Sequence, residues 1–319
     1  MNNQTEKRGF KRKTIEKTIQ TKMNSWLKSI EDEKLRERVK AHYILTGGAI
    51  ASMLLGDLPN DYDVYLDDVD VAADLSKYYV ARLTCNVPKT CDQSANISDW
   101  EAGEVSVVIS ENRDRVSVRI PSSGVLDRED QDKNSSNKGK YKVRMITANA
   151  ITLSDSVQIV LRFVGKASEI HKNYDFVHAT NYYTEREKLV LHQAALESLM
   201  CRELKYVGSL YPVCSVFRIK KFVKRGWNIT AGETLKILFD VSRLDLTDIS
   251  VLEDQLTGVD TSFFTSLIES LRKGDTAFDR SYLFSLINQV FDGTEDEYDA
   301  HPNEDESGEN EEEPMVKLT

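Results

Sequence analysis

The sequence predicts an α+β fold: a mixed-sheet domain that carries a β-hairpin insertion and is followed by a helical domain. Three observations predict it. Residues 43–66, YILTGGAIASMLLGDLPNDYDVYL, read as strand, glycine turn, short helix, second turn and second strand. Between 105 and 120, apolar residues alternate on either side of Glu111-Asn112-Arg113-Asp114, the pattern of a hairpin. Beyond Thr184 the apolar residues recur at helical spacing.

Taken in order, residues 1–30 form a basic N-terminal helix or arm. Lys7, Arg8, Lys11, Arg12, Lys13, Lys17, Lys22 and Lys28 stand against Glu6 and Glu16 in its first 28 residues. Such an arm suits RNA, and Ile15, Ile19, Met23 and Trp26/Leu27 equally suit a helix with one buried face. A charged helix over 32–42 then leads into the strand at Tyr43. Asp67, Asp68, Asp70 and Asp74 read as a solvated turn and helix start. Residues 31–183 make the main domain, with the insertion over about 85–149 and a polar loop from Asp127 to Lys140. Strands follow over 143–153, 157–164 and 175–179, extending the sheet. Thr184-Glu185-Arg186-Glu187 has the form of a capping box opening a long helix, so the helical domain spans 184–291. Within it, Ser215–Arg225 puts Arg218, Lys221, Lys224 and Arg225 on one helical face, ended by Gly226. Tyr211 and Trp227 flank that face and suit a stacked base, or else belong to the core. Helices over 231–239 and 262–291 read as ordinary packing.

A net charge of −10 taken over the whole chain argues against a nucleic-acid partner, but its distribution removes that argument. Residues 292–319 hold twelve Asp/Glu and one Lys, a net of −11, so the preceding 291 residues carry about +1. The tail has too few apolar residues to bury and is expected to be disordered. The four cysteines, Cys85, Cys91, Cys201 and Cys214, have no zinc spacing. No apolar run approaches a membrane span and no signal segment is visible, so a cytoplasmic setting is expected.

The chemistry concentrates in residues 43–66. Asp61 and Asp63 stand at i and i+2, and on a strand such residues point to one face and can converge on one cation. Gly47-Gly48 lets the backbone approach a ligand closely, and the helix that follows offers N–H groups to a phosphate.

At these residues the chain resembles the nucleotidyltransferase superfamily named for DNA polymerase β: an apolar residue, Gly-Gly, twelve residues, then Asp-x-Asp between apolar residues. The resemblance implies nucleotide binding at Thr46, Gly47, Gly48 and Ala49, with Asp61 and Asp63 as metal and catalytic carboxylates. It also requires a third carboxylate on a neighbouring strand, for which Asp175 in Asn173-Tyr174-Asp175-Phe176-Val177 is the candidate. The implied cofactor is Mg²⁺ or Mn²⁺, the substrate an NTP such as ATP, and the acceptor a hydroxyl, an RNA 3′ end among the choices. Arg218, Lys221, Lys224 and Arg225 would then bind the acceptor or phosphates. Gly47–Gly56 also looks like the CCA-adding form of the motif, although Ala51-Ser52 replaces the Arg-Asp of the bacterial enzymes. Ser156–Gly165 and Asn181–Thr184 look like bacteriophage proteins of this superfamily, which implies a host cytoplasm. Two other readings stand beside transfer: a catalytically inactive nucleotide- or nucleic-acid-binding protein of the same fold, and an interaction protein acting through its acidic tail.

Overall fold

The computed structural model of the protein describes residues 8–85, 105–119, 125–127, 140–256 and 288. All but the last lie in one compact unit spanning 1–270. Most of the polar loop over 127–140, most of the helix expected over 262–291 and the acidic tail lie outside the described residues.

Helix α1 (Arg12–Ser29) is a core element. Ile15, Ile19, Met23, Trp26 and Leu27 are buried on one stripe, while Lys11, Lys13, Lys17 and Lys28 are exposed. The Trp26 indole donates to the Tyr79 hydroxyl at 2.9 Å and meets the Tyr43 ring edge-on at 6.4 Å. Helix α2 (Glu33–His42) starts at Asp32, whose carboxylate accepts the Leu35 N–H at 3.0 Å. Strand β1 (Tyr43–Thr46) runs into α3 (Gly48–Leu55). That helix ends at Gly56 in the left-handed region (φ +87°), where a Cβ would meet the Arg8 carbonyl oxygen at 2.6 Å. After β2 (Tyr62–Leu66), Asp68 accepts the N–H groups of Asp70 and Val71, both at 2.9 Å, and starts α4 (Val69–Cys85).

The alternating residues form a hairpin of β3 (Ser106–Ile109) and β4 (Val116–Arg119), with Val107 opposite Val118 and Ile109 opposite Val116. Strands β5 (Val125–Asp127), β6 (Val143–Thr147), β7 (Ala150–Leu153) and β8 (Val157–Val164) follow. The single strand expected over 143–153 is thus two, because Thr147 Oγ1 accepts the Ala150 N–H at 3.1 Å and closes a tight turn. Past the short helix α5 (Ala167–Ile170), residues His171–Asn173 and Val177–Ala179 are single 3₁₀ turns. The strand expected over 175–179 is therefore absent: Phe176 makes only an isolated bridge to Tyr206.

Thr184–Glu187 also departs from expectation. Strands β9 (Tyr182–Thr184) and β10 (Lys188–Val190) form a hairpin, and the Thr184 hydroxyl accepts the Glu187 N–H at 2.9 Å to close its turn. The local bond of a capping box is present, but it serves a turn, and the next helix, α6 (Gln193–Cys201), begins later. The chain then adds β11 (Glu203–Leu204), α7 (Pro212–Lys224), β12 (Asn228–Ile229), α8 (Ala231–Val241) and α9 (Ile249–Leu256).

Among the described residues the main sheet has eight strands in the order β10-β9-β1-β2-β8-β7-β6-β5. Only β2 and β8 pair in parallel, so the sheet is mixed. One face buries Leu45, Tyr62, Val64, Val157, Ile159 and Leu161 with the apolar stripes of α1 to α4. On the other, Ile44 and Tyr65 meet Ala167 and Ile170, with Val160, Tyr174 and Tyr182 against them. A second core unites Phe176, Leu199, Leu204, Tyr206, Trp227 and Ile237. Among the described residues no helix is long and apolar enough to cross a membrane.

Candidate functional site

A cleft of about 300 Å³ opens on the second face of the sheet. Its floor is Gly47, Gly48, Asp63, Tyr65, Gln158, Val160 and Arg162, and its walls include Asn173–Phe176, His178, Tyr211, Arg218 and Phe222. The alternation of β2 and β8 explains the floor. Tyr62, Val64 and Leu66 point to the helices, so Asp63 and Tyr65 point away from them. On β8 the same rule sends Val157, Ile159 and Leu161 inward and Gln158, Val160 and Arg162 to the cleft.

Gly47 holds φ +96° and ψ −147°, a region essentially confined to glycine. A Cβ there would stand 3.3 Å from Asp63 Oδ2 and 3.6 Å from the Tyr174 hydroxyl. The backbone thus turns tightly against the carboxylate, and the Gly47 N–H donates to the Ala179 carbonyl at 3.1 Å. Helix α3 has no side-chain cap at its start, so its first turn presents backbone donors beside Asp63. The phenols of Tyr65 and Tyr174 are pushed well up, first by burial, further by the Asp63 charge at Tyr65 and by the neighbouring Tyr65 and then Asp63 at Tyr174, and both remain O–H donors.

The sequence-derived residues separate. Gly47, Gly48, Asp63, Asp175 and Arg218 line the cleft. Asp61 is exposed one residue before β2 and is not in the lining. Thr46 is fully buried, its hydroxyl 2.8 Å from His171 Nε2 and donating to the Asn181 carbonyl at 3.0 Å, and Ala49 lies in the helical core. These two shape the turn from behind. On α7, Lys221 and Lys224 are exposed, as is Arg225 just beyond it, and only Arg218 of the basic face reaches the cleft. Trp227 is buried in the second core, 4.5 Å from the His178 ring and 5.6 Å from that of Phe222, so it is a packing residue.

Asp175 is buried, and both its oxygens are engaged: Oδ1 accepts the Ser209 hydroxyl at 2.8 Å and Oδ2 accepts the Arg218 guanidinium. It stands between two 3₁₀ turns, not on a strand. The residue opposite Asp63 on the neighbouring strand β8 is Gln158. Among the described residues no three His, Cys, Asp or Glu side chains come together for one ion. Asp63 in the cleft, with Asp61 exposed two residues before it, suits Mg²⁺ arriving with substrate phosphates, which commonly needs only one or two carboxylates, and does not suit a closed protein cage.

Two further residues line the cleft. Arg162, a polar residue in an apolar strand that could pair with a site carboxylate or a triphosphate but more commonly would face solvent, is buried, its guanidinium 4.8 Å from the Tyr211 ring centre. His178 is buried among Phe176, Phe222 and Trp227, which lowers its pKa to about 4, and its Nδ1 has no hydrogen-bond partner. A second cavity of about 990 Å³ shares Arg162, Phe163, Asn173 and Tyr211 with the cleft. It is lined by six carboxylate residues, Asp67, Asp68, Asp70, Glu111, Asp114 and Glu169, and by three arginines.

Solved structures similar to the chain include the Bacillus stearothermophilus CCA-adding enzyme in complex with CTP, at 14% identity and TM-score 0.37, covering 76% of this chain and 50% of that one. The Thermotoga maritima CCA-adding enzyme complexed with tRNA matches at 12% and 0.36, covering 86% and 62%. A tRNA nucleotidyltransferase complexed with a primer tRNA and an incoming ATP analog matches at 12% and 0.34, covering 81% and 67%. The chain thus spans half to about two thirds of their lengths. No curated protein matches the sequence. A family model described as Gad2, Gabija anti-defense 2 family protein, matches residues 17–202.

Proposed function

The chain belongs to the Gabija anti-defense 2 family, and from that premise we propose that it binds a nucleoside triphosphate in the cleft of its main sheet and transfers the NMP to a hydroxyl acceptor as part of anti-defense. One observation carries the reading: the glycine turn, the uncapped start of α3 and the Asp63 carboxylate meet at one point of the cleft floor. Backbone donors there receive phosphate oxygens, Arg162 supplies positive charge, and Arg218, whose charge Asp175 balances, adds N–H donors toward the triphosphate. The acceptor oxygen attacks the α-phosphorus, the bond to the bridging β-phosphate oxygen breaks, pyrophosphate leaves and the hydroxyl proton passes to solvent. Mg²⁺ held by Asp61 and Asp63 with phosphate oxygens would supply charge neutralisation. We place the acceptor in the adjoining cavity. Its acidic lining repels a phosphate backbone, which favours a protein or small-molecule hydroxyl over an RNA 3′ end.

A second reading keeps nucleotide binding without transfer. It is favoured by Gln158 opposite Asp63 and by the engagement of Asp175 with Arg218 and Ser209. Pyrophosphate release with each NTP and Mg²⁺ or Mn²⁺ separates the two, run with RNA, with host protein extract and with neither, beside Asp61→Ala/Asp63→Ala. Release that requires the aspartates and protein extract is the expected result. Release equal in wild type and double variant overturns the proposal, and nucleotide binding with no release moves the function to the second reading.

A further inference from the structure

Among the described residues β8 is the only strand that pairs in parallel with β2, and it meets Asp63 with Gln158. Farther along the same face it offers Val160 and Arg162. No Asp or Glu occurs anywhere in β6, β7 or β8. The remaining buried carboxylate of the cleft, Asp175, has one oxygen on Ser209 and the other on Arg218. Among the described residues, then, the sheet strand beside Asp63 offers a second divalent ion no further carboxylate in the cleft lining, only the neutral Gln158 amide, a poor exchange for the carboxylate and phosphate oxygens that Mg²⁺ takes. Meanwhile two guanidiniums enter the cleft from different elements, Arg162 from β8 and Arg218 from α7. Arg162 is 8% exposed and stacked on Tyr211, so little further side-chain freedom is lost when it meets a phosphate.

Resting on the nucleotide-binding reading above, we infer that the cleft takes its triphosphate with a single divalent ion, and that Arg162 and Arg218 hold the phosphate oxygens a second ion would otherwise hold. Gln158 sets that count. A guanidinium is always charged, presents a planar fork that matches two phosphate oxygens, and is less strongly hydrated than an ammonium. It holds a triphosphate even before any metal is added.

The test uses the full chain and an NTP analogue with a methylene group between its α- and β-phosphates. Mn²⁺ bound per bound nucleotide is counted by electron paramagnetic resonance, and nucleotide affinity is measured in EDTA. One Mn²⁺ per nucleotide is expected in wild type and two in Gln158→Glu. In EDTA, Arg162→Met is expected to bind nucleotide about 10- to 100-fold more weakly, the loss of one charge-assisted contact. Arg218→Met strands Asp175, so Arg218→Met/Asp175→Asn serves as the folded control, with the same expected loss. Two Mn²⁺ per nucleotide in wild type, or unchanged affinity in Arg162→Met, overturns the inference and leaves the nucleotide-binding reading standing. A folded wild-type chain that binds no nucleotide overturns both.

Discussion

Replacing Gly47 and Gly48 one at a time separates what the turn does for the fold from what it does for a ligand. Gly47→Ala puts an L side chain at φ +96°, ψ −147°, which costs about 1–3 kcal/mol. Its Cβ also stands 3.3 Å from Asp63 Oδ2, so the carboxylate must move. Gly48 differs: a Cβ there meets nothing within 4 Å, and the residue opens a helix, where alanine gains up to about 1 kcal/mol over glycine. Urea denaturation should therefore show Gly47→Ala destabilised by about 1–3 kcal/mol and Gly48→Ala as stable as wild type or more so. The new methyl group of Gly48→Ala nonetheless stands in the cleft where the phosphates are proposed to lie. Its affinity for a fluorescent NTP should fall about tenfold or more with no loss of stability, in line with the loss of about one charge-assisted bond. A Gly47→Ala protein as stable as wild type would refute the strain argument. Unaltered affinity in Gly48→Ala would remove the phosphates from this turn.

Two further outcomes are expected. Trp26→Ala should cost about 3–5 kcal/mol in urea denaturation, because a fully buried indole and its bond to Tyr79 are lost; a change below about 1 kcal/mol would make α1 a detachable arm. His178→Phe should flatten the acid side of the stability profile. The folded imidazole has its pKa lowered from 6.5 to about 4 by burial, so the unfolded chain binds the proton more readily and stability falls as pH drops from about 6.5 toward 4. That amounts to about 2 kcal/mol between roughly pH 7.5 and 5, which the phenylalanine abolishes. His171, lowered to about 4 by burial and by neighbouring His192, keeps its own contribution, so denaturation at both pH values should show a shallower but surviving slope. An unchanged slope would mean that His178 is not buried as a neutral ring.

Local signals carried much of the fold. The stripe of Ile15, Ile19, Met23 and Trp26 marks α1, and the glycine turn marks the start of α3, because both patterns have a local cause. Thr184–Glu187 failed because a threonine hydroxyl accepting the N–H three residues on is the same local bond in a cap and in a turn. What separates the two is distant: Ile44 pairs with Thr184, and Tyr183 pairs with both Leu45 and Leu189. The alternation of buried Tyr183 and Leu189 about the turn was the weak signal in favour of strands.

The site shows the same division more sharply. Alternation along β2 places Asp63 opposite in sense to Val64, and alternation along β8 places Gln158 and Arg162 opposite in sense to Ile159 and Leu161. Neither pattern says which strand lies beside which. Asp175, an acid among apolar residues, reads locally as a neighbour-strand carboxylate, but its segment forms 3₁₀ turns and pairs its charge with α7. The parallel register of β2 and β8 makes the assignment, since it sets Asp63 against Gln158. A slip of one residue would set Asp63 against Ile159 and turn Gln158, Val160 and Arg162 into the helical core, burying a guanidinium among aliphatic side chains. The same hydrophobic pattern that holds the helices on one face thereby fixes which polar groups share the other. The chemistry available to the cleft is set by strand pairing as much as by the Asp-x-Asp motif.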